Sequence, residues 1–179
     1  MKTITSILTA LLIAVATSVS AQNNEIFWFN VKVFNQTDKH SHQKQYGVRP
    51  YSAKISNGSI KAFSKALWKC TASGQSIAVG PFKTYNQAQD ALKLYKMVND
   101  TITPRATNQN RAWFLVKVII TERAHAYQFE RMAARVAEGT EKEFSDVLRE
   151  SLAFKTLAIG PFAESIDAEE AKTLYRLEE

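Results

Sequence analysis

The chain has 179 residues, of which 45% are hydrophobic and 22% charged, and its formal net charge is +6. The single cysteine, Cys70, excludes a scaffold held by internal disulfides. An exported chain without disulfides is more typical of the bacterial envelope than of small eukaryotic secreted domains.

The chain begins with a predicted signal peptide, residues 1–21. Lys2 supplies the positive start, residues 7–15 the apolar stretch, and Val19-Ser20-Ala21 the small-residue cleavage pattern. The apolar stretch is shorter than the about 20 residues of a membrane span, although an uncleaved anchor helix is the alternative. We therefore expect cleavage after Ala21, a periplasmic location and no transmembrane segment in the mature chain.

Four blocks of sequence recur in one order, about 80 residues apart. The clearest reads IAVGPF at 77–82 and LAIGPF at 157–162. The other pairs are 28–33 with 113–118, 58–64 with 139–145, and the apolar positions of 88–96 with those of 168–176. Such repetition indicates a duplicated structural unit. We define unit 1 as residues 22–98, a linker as 99–110, and unit 2 as 111–179.

The two units differ in charge. Residues 22–110 hold twelve Lys and Arg against four Asp and Glu, whereas residues 111–179 hold ten against thirteen. The net charges are therefore +8 and −3, which predicts that unit 1 attracts anionic partners and unit 2 does not. The alternative is that the two halves complement each other electrostatically.

Each unit opens with a predicted strand, because Phe29, Val31 and Val33 alternate with residues 28, 30 and 32, and residues 113–118 repeat the pattern. Residues 77–79 and 157–159 are predicted to be short strands that end at Gly-Pro. A helix is predicted after each Gly-Pro-Phe, where alanine, alanine, leucine and tyrosine recur at helical spacing. Asn86 and Asp167 are the predicted helix-start residues.

The middle of each unit is predicted less uniformly. Residues 123–138 carry an apolar stripe at Phe129, Met132, Ala133 and Val136 that predicts a helix closed by Gly139. The equivalent stretch of unit 1, residues 38–57, is interrupted by Gly47 and Pro50, which permits at most a short helix ending before Gly58. A tight hairpin turn at Asn57-Gly58 is the alternative.

The fold class predicted from these elements is α+β, an antiparallel sheet with helices on one face and the other face open.

The order of strand, Gly-Pro-Phe and alanine-spaced helix resembles the SPOR domain, a small bacterial envelope module. The residues that carry the resemblance are Ala78, Val79, Gly80, Pro81, Phe82, Ala88 and Leu94, with Ala158, Ile159, Gly160, Pro161, Phe162, Ala168 and Leu174. The resemblance implies two tandem SPOR-like units with a ferredoxin-like or RNP-like βαββαβ fold. It also implies binding to peptidoglycan glycan strands stripped of stem peptides. The first strands lack the Gln and Gly-Ser-Phe common in that family.

The open strand face of unit 1 is the candidate glycan site. It would present Trp28, Asn30, Lys32 and Phe34, whose rings stack on sugars and whose amide and ammonium groups bind hydroxyls and carboxylates. Ala78 and Gly80 on the adjacent strand would let a polymer approach the sheet. Coverage of these aromatic rings by the chain itself is the alternative.

The same face of unit 2 is the candidate partner-binding surface. It would present Trp113, Leu115, Lys117 and Ile119, which are more apolar and suit contact with protein. Gly80, Pro81 and Phe82, and their counterparts Gly160, Pro161 and Phe162, are interpreted as structural.

No pattern in the sequence indicates catalysis, a metal or a cofactor. His40 and His42 alternate but lack a third ligand, and Cys70 has no nearby histidine in the sequence. Export argues against nucleic acid as the partner of the basic unit. Two functions remain: a non-catalytic binder of peptidoglycan glycan strands, and a structural adaptor in a periplasmic or outer-membrane-associated protein complex.

Overall fold

The computed structural model describes residues 25–37, 44–50, 54–73, 76–98, 109–121, 126–131, 135–153 and 156–175. Unit 1 runs β1 (Ile26–Thr37), β2 (Lys44–Pro50), β3 (Ser56–Gly58), α1 (Ile60–Ser73), β4 (Ser76–Phe82) and α2 (Tyr85–Met97). Unit 2 runs β5 (Asn110–Thr121), β6 (Ala126–Arg131), β7 (Ala137–Thr140), α3 (Glu141–Ala153), β8 (Thr156–Phe162) and α4 (Ser165–Leu174). The predicted α+β class is confirmed. The predicted signal peptide, most of the linker, His40 and His42 lie outside the described residues.

Each unit forms one antiparallel sheet around a long central strand. In unit 1, β4 pairs with residues 27–32 of β1, while β3 and β2 pair in turn with residues 26–28 and 31–37 along its other edge. In unit 2, β8, β7 and β6 take the same places around β5. Phe29, Val31 and Val33 are all buried, as their alternation predicted. The opening strands and the order of the described elements are thus the same in both units.

The Gly-Pro strands are longer than predicted. β4 and β8 continue through proline, and Phe82 pairs with Phe27 at the end of the β1–β4 ladder. The expectation that Gly-Pro ends the strand was wrong because, among the described strands, β4 pairs only with β1 and β8 only with β5. On its unpaired side the missing N–H of proline interrupts no ladder. Both Gly-Pro peptide bonds are cis.

The helices after Gly-Pro-Phe are confirmed, but their first residues are not those expected. α2 is capped by Thr84, whose side chain accepts from the backbone N–H of Gln87 at 3.2 Å, while the Gln87 side chain reaches back to the Thr84 N–H. The N-cap of α4 is Glu164. Asn86 and Asp167 instead lie inside the two helices, because the extended residues before them form the caps.

The prediction of a helix at residues 123–138 was wrong. Residues 126–131 form β6 and pair with the far half of β5, and residues 137–140 form β7. The helix comes after Gly139 because Thr140 and Glu143 form a capping box: the Glu143 N–H donates to the Thr140 hydroxyl at 3.2 Å, and the Thr140 N–H donates to the Glu143 carboxylate.

In unit 1 the helix α1 likewise begins after Gly58. The short helix before Gly58 was therefore wrong, and Asn57-Gly58 lies within β3 rather than in a hairpin turn. The Ala62 N–H donates to the Ser59 hydroxyl at 3.3 Å, and the Phe63 N–H to the Ser59 carbonyl at 3.0 Å. In the described residues each unit thus follows the order βββαβα, not the βαββαβ order that the resemblance implied.

The two units share one core, which contains a continuous row of ten aromatic rings. At its centre Phe82 of unit 1 and Phe162 of unit 2 stack with centroids 5.3 Å apart. The row runs Trp28, Phe63, Tyr175, Phe114, Phe162, Phe82, Phe29, Tyr95, Phe144, Trp113, with neighbouring centroids 5.2–6.1 Å apart. Repeat-related residues occupy mirrored places in the row, so the units are related by a pseudo-twofold arrangement.

Tyr95 and Tyr175 join the units reciprocally. The Tyr175 hydroxyl donates to the carbonyls of Ala78 and Gly80 in β4, at 2.7 and 3.0 Å. The Tyr95 hydroxyl donates to the Ala158 carbonyl in β8 at 2.5 Å. Each helix C-terminal end therefore satisfies backbone acceptors on the unpaired edge of the other unit's strand. The tyrosine of each repeat thus binds the alanine of the other repeat: Tyr95 binds Ala158, and Tyr175 binds Ala78.

Candidate functional site

The candidate glycan face of unit 1 is not open. Trp28 is 6% exposed and packs edge-on against Phe63 of α1, with ring centroids 5.8 Å apart. The prediction of an exposed Trp28 was therefore wrong, because α1 covers its ring. Asn30 and Lys32 are half-buried, and the side chain of Phe34 lies outside the described residues.

The small residues that were expected to admit a polymer are also buried. Ala78 is fully buried, and Gly80 has φ +148° with the Trp28 side chain against it. A Cβ at Gly80 would lie 2.9 Å from the Phe27 carbonyl oxygen and 3.0 Å from the Trp28 Cβ. Glycine is required here because any side chain would collide with β1. The close approach lets Trp28 lie against β4 and leaves no room for a ligand at Gly80 itself.

Unit 2 repeats this geometry. Trp113 is 4% exposed and packs on Phe144 of α3 at 5.7 Å, so its predicted exposure was also wrong. Leu115 is partly buried against the core, Lys117 is exposed, and the side chain of Ile119 lies outside the described residues. A Cβ at Gly160 would lie 2.9 Å from the Ala112 carbonyl oxygen.

The Gly-Pro-Phe motif holds the two halves together. Phe82 and Phe162 are each 1% exposed and stack on each other, while Pro81 and Pro161 directly precede them in the strands. The signal for this role was in the repeat itself, since a motif that packs against its own copy must be present in both.

Two ion pairs lie near the junction of the units. The Lys83 ammonium is 2.5 Å from the Asp167 carboxylate across the units, and this contact raises the pKa of Lys83. Arg111 donates to Glu141 at 2.7 and 3.0 Å within unit 2. A small cavity of about 120 Å³ adjoins the second pair; it is lined by Asn86, Gln87, Asp90, Ala91, Arg111, Glu141, Pro161 and Ala163.

The outward faces of α1 and α3 are where the units differ. α1 contains three lysines and no acidic residue, whereas α3 contains four acidic residues and two basic ones. Lys61, Lys65 and Lys69 are exposed, and Trp68 beside them is 68% exposed. This surface was not predicted from the sequence because α1 was not predicted, although lysine at every fourth residue indicates one side of a helix.

The buried titratable groups Cys70, Tyr95 and Tyr175 have raised pKa values. Burial raises the pKa of Cys70, against a smaller opposing effect of its hydrogen bond with Ser76. Burial raises the pKa of Tyr95 and of Tyr175 far above the ordinary value for tyrosine. In the described ranges, no three His, Cys, Asp or Glu side chains gather where they would hold a metal ion.

Within the part of the chain described here, no helix is long and apolar enough to cross a membrane. Comparison of the chain with protein-family models, curated proteins and solved structures gives no match.

Proposed function

We propose that the chain is a non-catalytic, exported adaptor of the bacterial envelope, built on one core from two units that resemble the SPOR domain in their Gly-Pro-Phe strand and the helix after it. The observation that carries the proposal is the opposite charge of two repeat-related helices. The residues of α1 sum to +3 and those of α3 to −2. A single rigid body that presents two such surfaces suits an anionic partner at one place and a cationic partner at another.

Burial of the strand faces supports this assignment over a sheet-face binder. Trp28 and Trp113 are both buried in the core, and so are the alanines of β4 and β8. Binding energy at an interface comes from groups that become desolvated on contact, which buried rings cannot supply. The exposed helices α1 and α3 are then the surfaces through which the chain contacts other molecules.

The chemistry of the described residues supports a non-catalytic role. Catalytic nucleophiles are activated by a lowered pKa or an adjacent base, whereas Cys70 is buried with a raised pKa. Export rests on the charged start, short apolar stretch and small-residue cleavage pattern of residues 1–21.

Exchange of repeat-related residues between the helices tests the adaptor. Asp146→Lys/Glu150→Lys copies Lys65 and Lys69 into unit 2, and Lys65→Asp/Lys69→Glu makes the reverse copy. In cross-linking on intact envelopes, we expect each variant to lose one contact of the wild-type chain and to retain the other. Identical cross-linked products from the wild type and both variants, with unchanged circular dichroism, would exclude the adaptor.

Binding of peptidoglycan glycan strands is the second candidate, and one observation favours it. The Asn30 side-chain oxygen is buried and has no hydrogen-bond partner among the described residues. Lys32 follows two residues later in β1 and is half-buried. An unpartnered acceptor beside an ammonium group suits the acetamido N–H and carboxylate of a muramic acid unit.

The glycan candidate is tested with sacculi stripped of stem peptides. At low salt we expect the purified chain to co-sediment with them, and Lys32→Glu to weaken that association. Lys117→Glu, at the repeat-related position, is the matched control. Absence of co-sedimentation, or equal loss in both variants, would eliminate this candidate.

A further inference from the structure

α1 separates its buried and exposed residues onto opposite sides. Phe63, Leu67 and Cys70 face the core. Lys61, Lys65 and Lys69 follow each other at intervals of four residues, so they lie along one side of the helix and span about 12 Å. Trp68 lies beside this row. We name Lys61, Lys65, Trp68 and Lys69 the docking face.

The charge of the docking face is not paired with carboxylates in the part of the chain that the structure describes. Among the described residues, none of its three lysines forms a salt bridge. The contrast is α3, where Lys142 and Arg149 both pair with Asp146, at 2.7 and 3.3 Å. The repeat-related helix thus satisfies its cations internally, whereas α1 presents them to the surroundings.

We propose that the docking face binds the surface of an anionic phospholipid bilayer. Three lysines in one row meet lipid phosphates, and each contributes attraction near such a surface. Tryptophan is the residue enriched at the membrane–water boundary, because its ring is apolar and its N–H remains hydrated. The inference rests on the proposed adaptor function and names the anionic partner of unit 1.

The shape of the docking face favours a bilayer over a single polymer strand. It is the outer, convex side of a helix, and no residue of α1 lines the cavity beside Arg111. A planar anionic surface meets all four side chains at once. A glycan strand would contact this ridge from one side and leave most of its own surface in water.

Vesicle binding of charge-neutralised variants tests the proposal. The full chain is mixed with phosphatidylcholine vesicles with and without phosphatidylglycerol, and sedimented. Lys61→Gln/Lys65→Gln/Lys69→Gln should weaken binding to the anionic vesicles on the order of 100-fold, given about five-fold for each lysine. The matched control Lys54→Gln/Lys93→Gln/Lys96→Gln removes the same charge from exposed positions elsewhere in unit 1, and should weaken binding less than about five-fold.

All variants share the apolar stretch of residues 7–15, so only the component of binding that requires anionic lipid is compared. A second readout is the fluorescence of Trp68. Trp28 and Trp113 are buried, so acrylamide quenching in solution reports mainly on Trp68. Anionic vesicles should protect it, neutral vesicles should not, and Trp68→Phe should abolish the signal.

Protection of Trp68 together with selective loss in the α1 variant would support the proposal. Equal binding to both vesicle types, equal loss in both triple variants, or no binding of the wild type to anionic vesicles would overturn it. If the wild type binds no vesicles and the α1 triple variant loses binding to sacculi, the occupant of the docking face is a glycan instead. If vesicle binding fails while cross-links still depend on α1 and α3, the bilayer is excluded and the adaptor function stands.

Discussion

Units 1 and 2 keep the same residues where they face each other and differ where they face outward. Tyr95 and Tyr175 donate to equivalent carbonyls of the opposite unit, and Phe82 stacks on Phe162. On the outer side of the first helix, Lys65 in unit 1 corresponds to Asp146 in unit 2. Each of these inner residues contacts the opposite unit, whereas the outer residues of the first helix face solvent. The outward divergence is therefore where the proposed function places the contacts of each unit with other molecules.

The largest expected effect is on the central pair of the aromatic row. Phe82→Ala and Phe162→Ala each remove a buried ring from the junction, and each should lower the free energy of unfolding by about 3–5 kcal/mol. Because the two rings contact each other, we expect similar losses, measured by urea denaturation. The exposed Ile166→Ala is the control, with an expected change within about 0.5 kcal/mol. A large loss for one phenylalanine and none for the other would refute the shared core.

The parts of the fold that the sequence predicted are those with a local period. The alternation around Phe29 and the spacing of Ala88, Ala91 and Leu94 each depend on one sheet face or one helix stripe. The stretch from Phe129 to Val136 has helical spacing, yet its residues 129–131 lie in β6, because pairing with β5 overrides local spacing.

The candidate site was predicted poorly for a related reason. Alternation indicates that Trp28 and Phe29 lie on opposite faces of a strand, but not what covers each face. α1 covers Trp28, and the start of that helix is set by capping hydrogen bonds at Ser59, as that of α3 is at Thr140, which the spacing of apolar residues does not indicate. The basic docking face was therefore not predicted either, because it lies on the same helix. Correct assignment of one helix N-terminus would have revealed both.

The reciprocal tyrosines should produce the next largest effect. Tyr95→Phe and Tyr175→Phe leave buried carbonyls without a donor, so each should lower the free energy of unfolding by about 1–3 kcal/mol. The half-exposed Tyr85→Phe is the control and should have little effect. If removal of both hydroxyls changed the free energy of unfolding no more than Tyr85→Phe does, the hydrogen bonds of Tyr95 and Tyr175 between the units would make no contribution to stability.

The same pair predicts sensitivity to alkaline pH. Burial raises the pKa of Tyr95 and Tyr175, so the folded chain keeps both phenolic protons after unfolded tyrosine begins to lose its proton near pH 10. Stability from this source is complete below about pH 10 and is lost as the pH rises further. Urea midpoints should therefore decline less steeply above pH 10 in Tyr95→Phe/Tyr175→Phe than in the wild type. Cys70, whose pKa is also raised, contributes equally to both proteins.

The smallest expected effect concerns the N-termini of α2 and α4, where equivalent residues have different partners. Thr84 and Gln87 cap α2, whereas Glu164 makes no side-chain cap and Asp167 instead pairs with Lys83 of unit 1. Thr84→Ala should lower the free energy of unfolding by about 1 kcal/mol. Glu164→Ala should change it less, because no capping hydrogen bond is lost, and the difference is measurable by urea denaturation. Equal losses would mean that the cap of α2 contributes nothing beyond its backbone geometry. A larger loss at Thr84 would show that the capping box of α2 stabilises its helix in a way that Glu164, which forms no side-chain cap, does not stabilise α4.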